Sequence, residues 1–153
     1  MMYWFIDFES FKLGTDDFIV KEICILNSEG TECYNYLVKS PKCCPYPDDN
    51  KTINYQYNRH RIPWNCGDFP FRPVINDIWL KVGSANLYVN GLEKQIFLDK
   101  WLFRVIDLDF LPSLRDMNIR TDERCEIKHG MHCARRKVWG LKHYIDTNNI
   151  HLS

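Results

Sequence analysis

The chain has 153 residues, enough for one hydrophobic core and too few for two ordinary domains. With 45% hydrophobic and 14% aromatic residues it lacks the weakly hydrophobic, highly charged composition that keeps a segment disordered. Twenty basic side chains balance twenty acidic ones, a formal net charge of +0, so no whole-molecule field attracts nucleic acid or an anionic membrane, and any such binding needs a local patch.

Residues 3–8 (YWFIDF) are aromatic and apolar and predict a buried strand. A second strand is predicted over 18–26 (FIVKEICIL), a hairpin turn over 27–30 (NSEG) and a third strand over 32–38 (ECYNYLV). Three prolines in 41–49 (PKCCPYPDD) predict loop, and the polar, aromatic stretch after it predicts a short helical piece followed by a long surface loop. Residues 72–82 place Val74, Ile75, Ile78, Trp79 and Val82 on one helical face, with Pro73 tolerated in the first turn. A short strand at 86–89, an amphipathic helix over 92–103 with Ile96, Leu98, Trp101 and Leu102 inward, and a strand at 105–108 follow. Polar connection then leads to a final helix over 131–145 with Cys133, Val138, Leu141 and Ile145 inward. The expected architecture is an α/β fold: a three-stranded meander followed by alternating helices and strands.

The longest apolar runs are only a few residues, far below the ~20 that span a bilayer, and the start lacks the features of a secretory signal. No membrane partner and an intracellular location are expected. Seven cysteines, an odd number, point to thiols or a metal site rather than a disulfide framework. Cys43 and Cys44, adjacent in the Pro-rich loop, receive no role.

The opening FIDFES, followed by DFIVKEICILNSEGT, resembles the first strand and hairpin of DEDDh-type 3′-5′ exonucleases, which share the ribonuclease H-like fold. In that family the Asp-x-Glu of the first strand binds metal. Here Asp7 and Glu9 occupy it, and side chains two apart on a strand share a face. The resemblance implies a single ribonuclease H-like domain over residues 1–153 and a two-Mg²⁺ hydrolytic site. It continues in NLYVNGLEKQIFL and in HCARRKV, where His132 falls at the position of the general base. Two expected aspartates are replaced, however, by Lys94 and Lys137. An ammonium beside Asp7 and one beside Glu9 would fill the space of the cations, so the expectation is a pseudo-active site held by ion pairs. The alternative is a shifted register in which Asp99, Asp107 or Asp109 supplies a ligand and the chain is an active Mg²⁺-dependent exonuclease, with Asp7, Glu9 and His132 catalytic.

A second resemblance is to the Maelstrom domain, carried by VKEICILNSEG, NRHRIP and CEIKHGMHCARRKV. It implies a structural zinc on Glu22, Cys125, His129 and Cys133, with His132 as the other candidate imidazole. Thiolates and imidazole are the ligands tetrahedral zinc selects, and four protein ligands would leave no open position for hydrolysis.

For nucleic acid, the candidates are Arg59, His60, Arg61, Trp64, Arg135 and Arg136, because cations interleaved with aromatic rings can pair phosphates and stack bases of RNA or single-stranded DNA. The competing reading is a protein-binding adaptor using the Tyr/Trp-rich loop around Trp64.

Overall fold

The computed structural model describes residues 2–13, 17–41, 50–109, 111 and 132–153. Their order is β1 (Trp4–Leu13), β2 (Asp17–Asn27), β3 (Cys33–Leu37), α1 (Asn50–His60), α2 (Phe71–Val82), β4 (Leu87–Val89), α3 (Leu92–Asp99), β5 (Val105–Asp107) and α4 (Ala134–Thr147). The strands form one mixed sheet in the order β3-β2-β1-β4-β5. The β1-β2 and β2-β3 pairs are antiparallel, whereas β1-β4 and β4-β5 are parallel.

The sheet is buried on both faces because each long strand is apolar on both. Trp4, Ile6 and Phe8 of β1 join Ile23 and Ile25 of β2 under Val74, Ile75 and Ile78 of α2 and Phe97 and Leu98 of α3. Phe5, Cys24 and Leu26 face the other way, against Ala134, Val138, Leu141 and Ile145 of α4. Each fully buried aliphatic or aromatic side chain contributes ~1.5–3 kcal/mol of transfer free energy, so these two layers carry most of the fold's cohesion.

Several elements differ from expectation. β1 continues through a register irregularity at Glu9/Ser10 to Leu13, because α1 lies along the extension. His60 hydrogen-bonds the Ser10 carbonyl and Gln56 the Lys12 carbonyl, both at 3.1 Å, while Phe11 packs with Trp64 and, partly buried, Tyr57. α3 stops at Asp99 and turns Phe97 and Leu98 inward while Ile96 stays 52% exposed. Phe97 is recruited by the rings of Phe8 and Phe18, at 5.5 and 5.3 Å between centroids. Trp79, expected on the inner face of α2, is 40% exposed: its Nε1 donates to the Trp101 carbonyl at 2.7 Å and its ring rests on Phe103. α4 begins at Ala134, three residues later than expected, with Cys133 in extended conformation at its N-cap. The predicted inward residues Cys133, Val138, Leu141 and Ile145 are all buried. The Pro-rich loop from 42 to 49 and the connection over 112–131 lie outside the described residues. No helix among those described is long and apolar enough to cross a membrane.

Candidate functional site: a carboxylate pair closed by two lysines

Asp7 and Glu9 sit on the α4 face of β1, Asp7 opposite Cys24 and Glu9 opposite Glu22 of β2. Asp7 is completely buried and Glu9 is 8% exposed. Two carboxylates at such burial need countercharge, since an isolated buried ion is strongly disfavoured. Each receives one lysine. Lys94, in the first turn of α3, ion-pairs with Asp7, and its ammonium also donates to the Phe8 carbonyl at 3.0 Å and lies 5.1 Å from the Phe8 ring centroid. Lys137, one turn into α4, ion-pairs with Glu9. The helices bringing these lysines pack on opposite faces of the sheet.

The electrostatics follow from this arrangement. Burial pushes the Glu9 carboxyl up, but Lys137 and Lys94, with the nearby His132 imidazole, outweigh it and hold Glu9 below the usual carboxylate range. Burial likewise works against charge on Lys137, but Glu9 and Asp7 hold it above the ordinary lysine value. His132 is half-buried beside the cluster, and desolvation together with Lys137, Arg59 and Lys94 lowers its pKa despite the opposing pull of Glu9. The imidazole is therefore biased to its neutral form. Arg59, exposed at the end of α1, is near enough to act on both His132 and Lys137, and its guanidinium lies 5.7 Å from the ring centroid of Tyr55.

Of the alternative aspartates, Asp107 accepts the Gly91 N–H at 2.8 Å and Asp99 accepts from Gln95 at 2.8 Å, while Asp109 is exposed after β5. A hard cation such as Mg²⁺ takes about six oxygen ligands. The residues around Asp7 and Glu9 do not fit it. Among the described residues one oxygen of Asp7, Oδ2, is buried without a hydrogen-bond partner, but a carboxylate oxygen beside two ammonium groups is not a coordination site.

Of the predicted zinc ligands, Glu22 and Cys133 come together: the Cys133 thiol lies 3.7 Å from Glu22 Oε2. Glu22 also accepts the Ala134 N–H at 2.6 Å and the Asn35 side-chain amide at 3.1 Å. A carboxylate from the neighbouring strand thus meets the positive end of the α4 dipole, where no N-cap side chain does so. Cys125 and His129 lie outside the described residues, among which no cluster of three or more metal-ligating side chains occurs.

The predicted nucleic-acid contacts divide. Arg59 and Arg61 are exposed, Arg61 with its guanidinium 5.7 Å from the Tyr57 ring centroid, and Arg135 and Arg136 are half-buried in the first turn of α4. His60 and Trp64 are placed inside, 2% and 7% exposed. His60 Nδ1 accepts the Ile62 N–H at 2.9 Å, leaving Nε2–H for the Ser10 carbonyl, and Trp64 packs on Phe11. Neither presents a face to a nucleotide, nor does Trp64 offer an exposed ring to a protein partner. His60 and Ile62 together with Trp64 alternate inward, a period-two signal within the basic run.

Sequence reasoning passed over Lys21, a charged residue inside the apolar run of β2. It is fully buried, and its ammonium donates to Ser40 Oγ at 3.0 Å and to the Trp64 and Cys66 carbonyls at 2.8 and 2.5 Å. With neutral acceptors around it, desolvation lowers its pKa to about 8. It fastens the segment after α1 to the sheet.

No family model matches the chain, and no curated protein matches it.

Proposed function

We propose that the chain is a catalytically silent domain of the ribonuclease H-like fold, built like a DEDDh exonuclease, that binds single-stranded RNA or DNA at the mouth of its closed carboxylate site. The observation that carries this reading is the pairing of Asp7 with Lys94 and of Glu9 with Lys137. Two ammonium groups stand where a two-metal nuclease would need two carboxylates, and they neutralise the Asp-x-Glu pair they touch. The sheet order β3-β2-β1-β4-β5, with parallel β1, β4 and β5, supports the fold assignment.

Binding rests on what is left after neutralisation. Lys94 and Lys137 offset Asp7 and Glu9, so Arg59 adds positive charge at the mouth. Its neighbour Tyr55, 63% exposed, presents a ring for base stacking while the guanidinium meets a phosphate. A zinc held by Glu22 and Cys133 together with Cys125 and His129 would be structural, fastening the start of α4 to β2.

The test combines metal analysis with incubation of 3′-labelled single-stranded RNA and DNA in Mg²⁺, Mn²⁺ or EDTA, and fluorescence anisotropy on the same oligonucleotides. The expected result is no cleavage in any condition, binding that weakens steeply with salt, and loss of affinity in Arg59→Ala. Cleavage that disappears in Asp7→Ala overturns the silent site. Absence of binding at low salt overturns the nucleic-acid reading and leaves a protein partner. About one zinc per chain, lost in Cys133→Ser, supports the structural metal.

A further inference from the structure

Cys24 and Cys33 are thiols on adjacent antiparallel strands, Cys24 in β2 and Cys33 at the start of β3. The register pairs Cys24 with Asn35 and Leu26 with Cys33, so the two cysteines are diagonal neighbours on one face of the sheet. Their sulfurs lie 3.6 Å apart, van der Waals contact for two thiols. A disulfide needs ~2.05 Å between sulfurs, so closure brings the two sulfurs about 1.5 Å nearer.

We propose that Cys24 and Cys33 form a reversible intramolecular disulfide on exposure to a peroxide, making the β2-β3 ladder a redox modification site. The proposal is independent of the nucleic-acid reading.

The surroundings set the order of events. Cys33 is half-buried on an edge strand, whereas Cys24 is completely enclosed. A peroxide therefore reaches the Cys33 sulfur first, and the enclosed Cys24 meets only the sulfur beside it. Cys33, as thiolate, attacks one peroxide oxygen. The O–O bond breaks, hydroxide (or alkoxide) leaves, and Cys33 becomes a sulfenic acid. The Cys24 sulfur then attacks the Cys33 sulfur, the S–O bond breaks, and the departing hydroxide takes the Cys24 proton to leave as water. Two thiols are oxidised by two electrons, and the peroxide is reduced to water (or water and an alcohol).

Position gives the modification a consequence. Cys24 lies directly opposite Asp7 and two residues from Glu22, so the new bond would form in the layer that supports both the lysine-closed site and the start of α4.

The experiment treats the full reduced chain with hydrogen peroxide, blocks remaining thiols with an alkylating reagent, and digests with trypsin together with a Glu-specific protease. Trypsin alone leaves both cysteines on one peptide, residues 22–39, whereas cleavage after Glu22, Glu29 and Glu32 separates residues 23–29 from 33–39. The expected result is loss of two of the seven thiols, a mass lower by two hydrogens, and linked peptides 23–29 and 33–39 that a dithiol reductant separates. In Cys24→Ala, Cys33 should instead accumulate a sulfenic acid trapped by dimedone. In Cys33→Ser, Cys24 should stay reduced. Persistence of both thiols in the folded wild-type chain, or linkage of Cys33 to any other cysteine, overturns the proposal.

Discussion

Replacing Lys137 with methionine tests whether the closed carboxylate site is an electrostatic unit. Methionine keeps an unbranched stem of similar length but removes the charge that faces Glu9, whose side chain is 9% exposed against 15% for Lys137. Breaking a pair this buried by deleting one partner costs about 3–5 kcal/mol, because an uncompensated charge stays inside. Lys94 remains near Glu9 and Glu9 can take up a proton, so the lower end of that range, about 3 kcal/mol, is expected at pH 7. For a domain of this size each kcal/mol shifts Tm by about 2–4 °C, giving a fall of about 6–12 °C.

The pH dependence is the sharper readout. In the wild type, Glu9 is held below its ordinary 4.5, so its stabilising contribution is full above that value and disappears as pH falls through the folded-state value. In Lys137→Met, burial dominates and raises Glu9. The folded state then binds the extra proton, and stability declines as pH rises from 4.5 through the new value. Urea unfolding at a series of pH values between about 4 and 8 measures both slopes, and Glu9→Gln/Lys137→Met, with no buried charge at the pair, should recover most of the loss. Equal stability of Lys137→Met and wild type, or the same sign of slope over that window, would refute the ion-pair account.

Three further outcomes follow from local geometry. Glu22→Ala removes the acceptor for the Ala134 N–H and for the Asn35 amide and should destabilise by about 1–3 kcal/mol, measured by denaturant unfolding, with accelerated amide exchange in the first turn of α4. Gly67→Ala should be at least as damaging and should broaden or shift the resonances of Val38, because a Cβ there would lie 2.5 Å from the Val38 carbonyl at a backbone φ of +149°. Lys21 has a folded-state value near 8 against 10.5 when unfolded, so between those values the unfolded chain binds the extra proton and stability should gain a rising contribution with pH. In Lys21→Met that contribution should vanish, visible as a flatter Tm profile between pH 8 and 10.5.

The fold was legible wherever apolar periodicity was strong. The meander, the helix over Phe71–Val82 and the inward stripe of the last helix all follow from spacing, because burial on a face leaves a repeat in the chain. The opposition of Asp7 and Glu9 to Lys94 and Lys137 was legible too, since residue types that need each other's charge stood at positions linked by a family resemblance. What the spacing missed depends on partners distant in sequence. Phe97 rather than Ile96 turns inward because Phe8 and Phe18 await it. His60 and Trp64 sit in a run that looks like a cationic, aromatic surface, yet Phe11 and the Ser10 carbonyl draw them inside. Lys21 hides its charge among backbone carbonyls contributed from more than forty residues away, and composition carries no trace of them.

A metal centre can be emptied by a chelator, starved by scarcity or refilled with the wrong ion. The cations beside Asp7 and Glu9 are side chains of α3 and α4, so they are supplied when the polypeptide is synthesised and stay attached however dilute the surroundings become. The middle of β1 is thereby clamped from both layers of the molecule by charges whose stoichiometry is written into the chain.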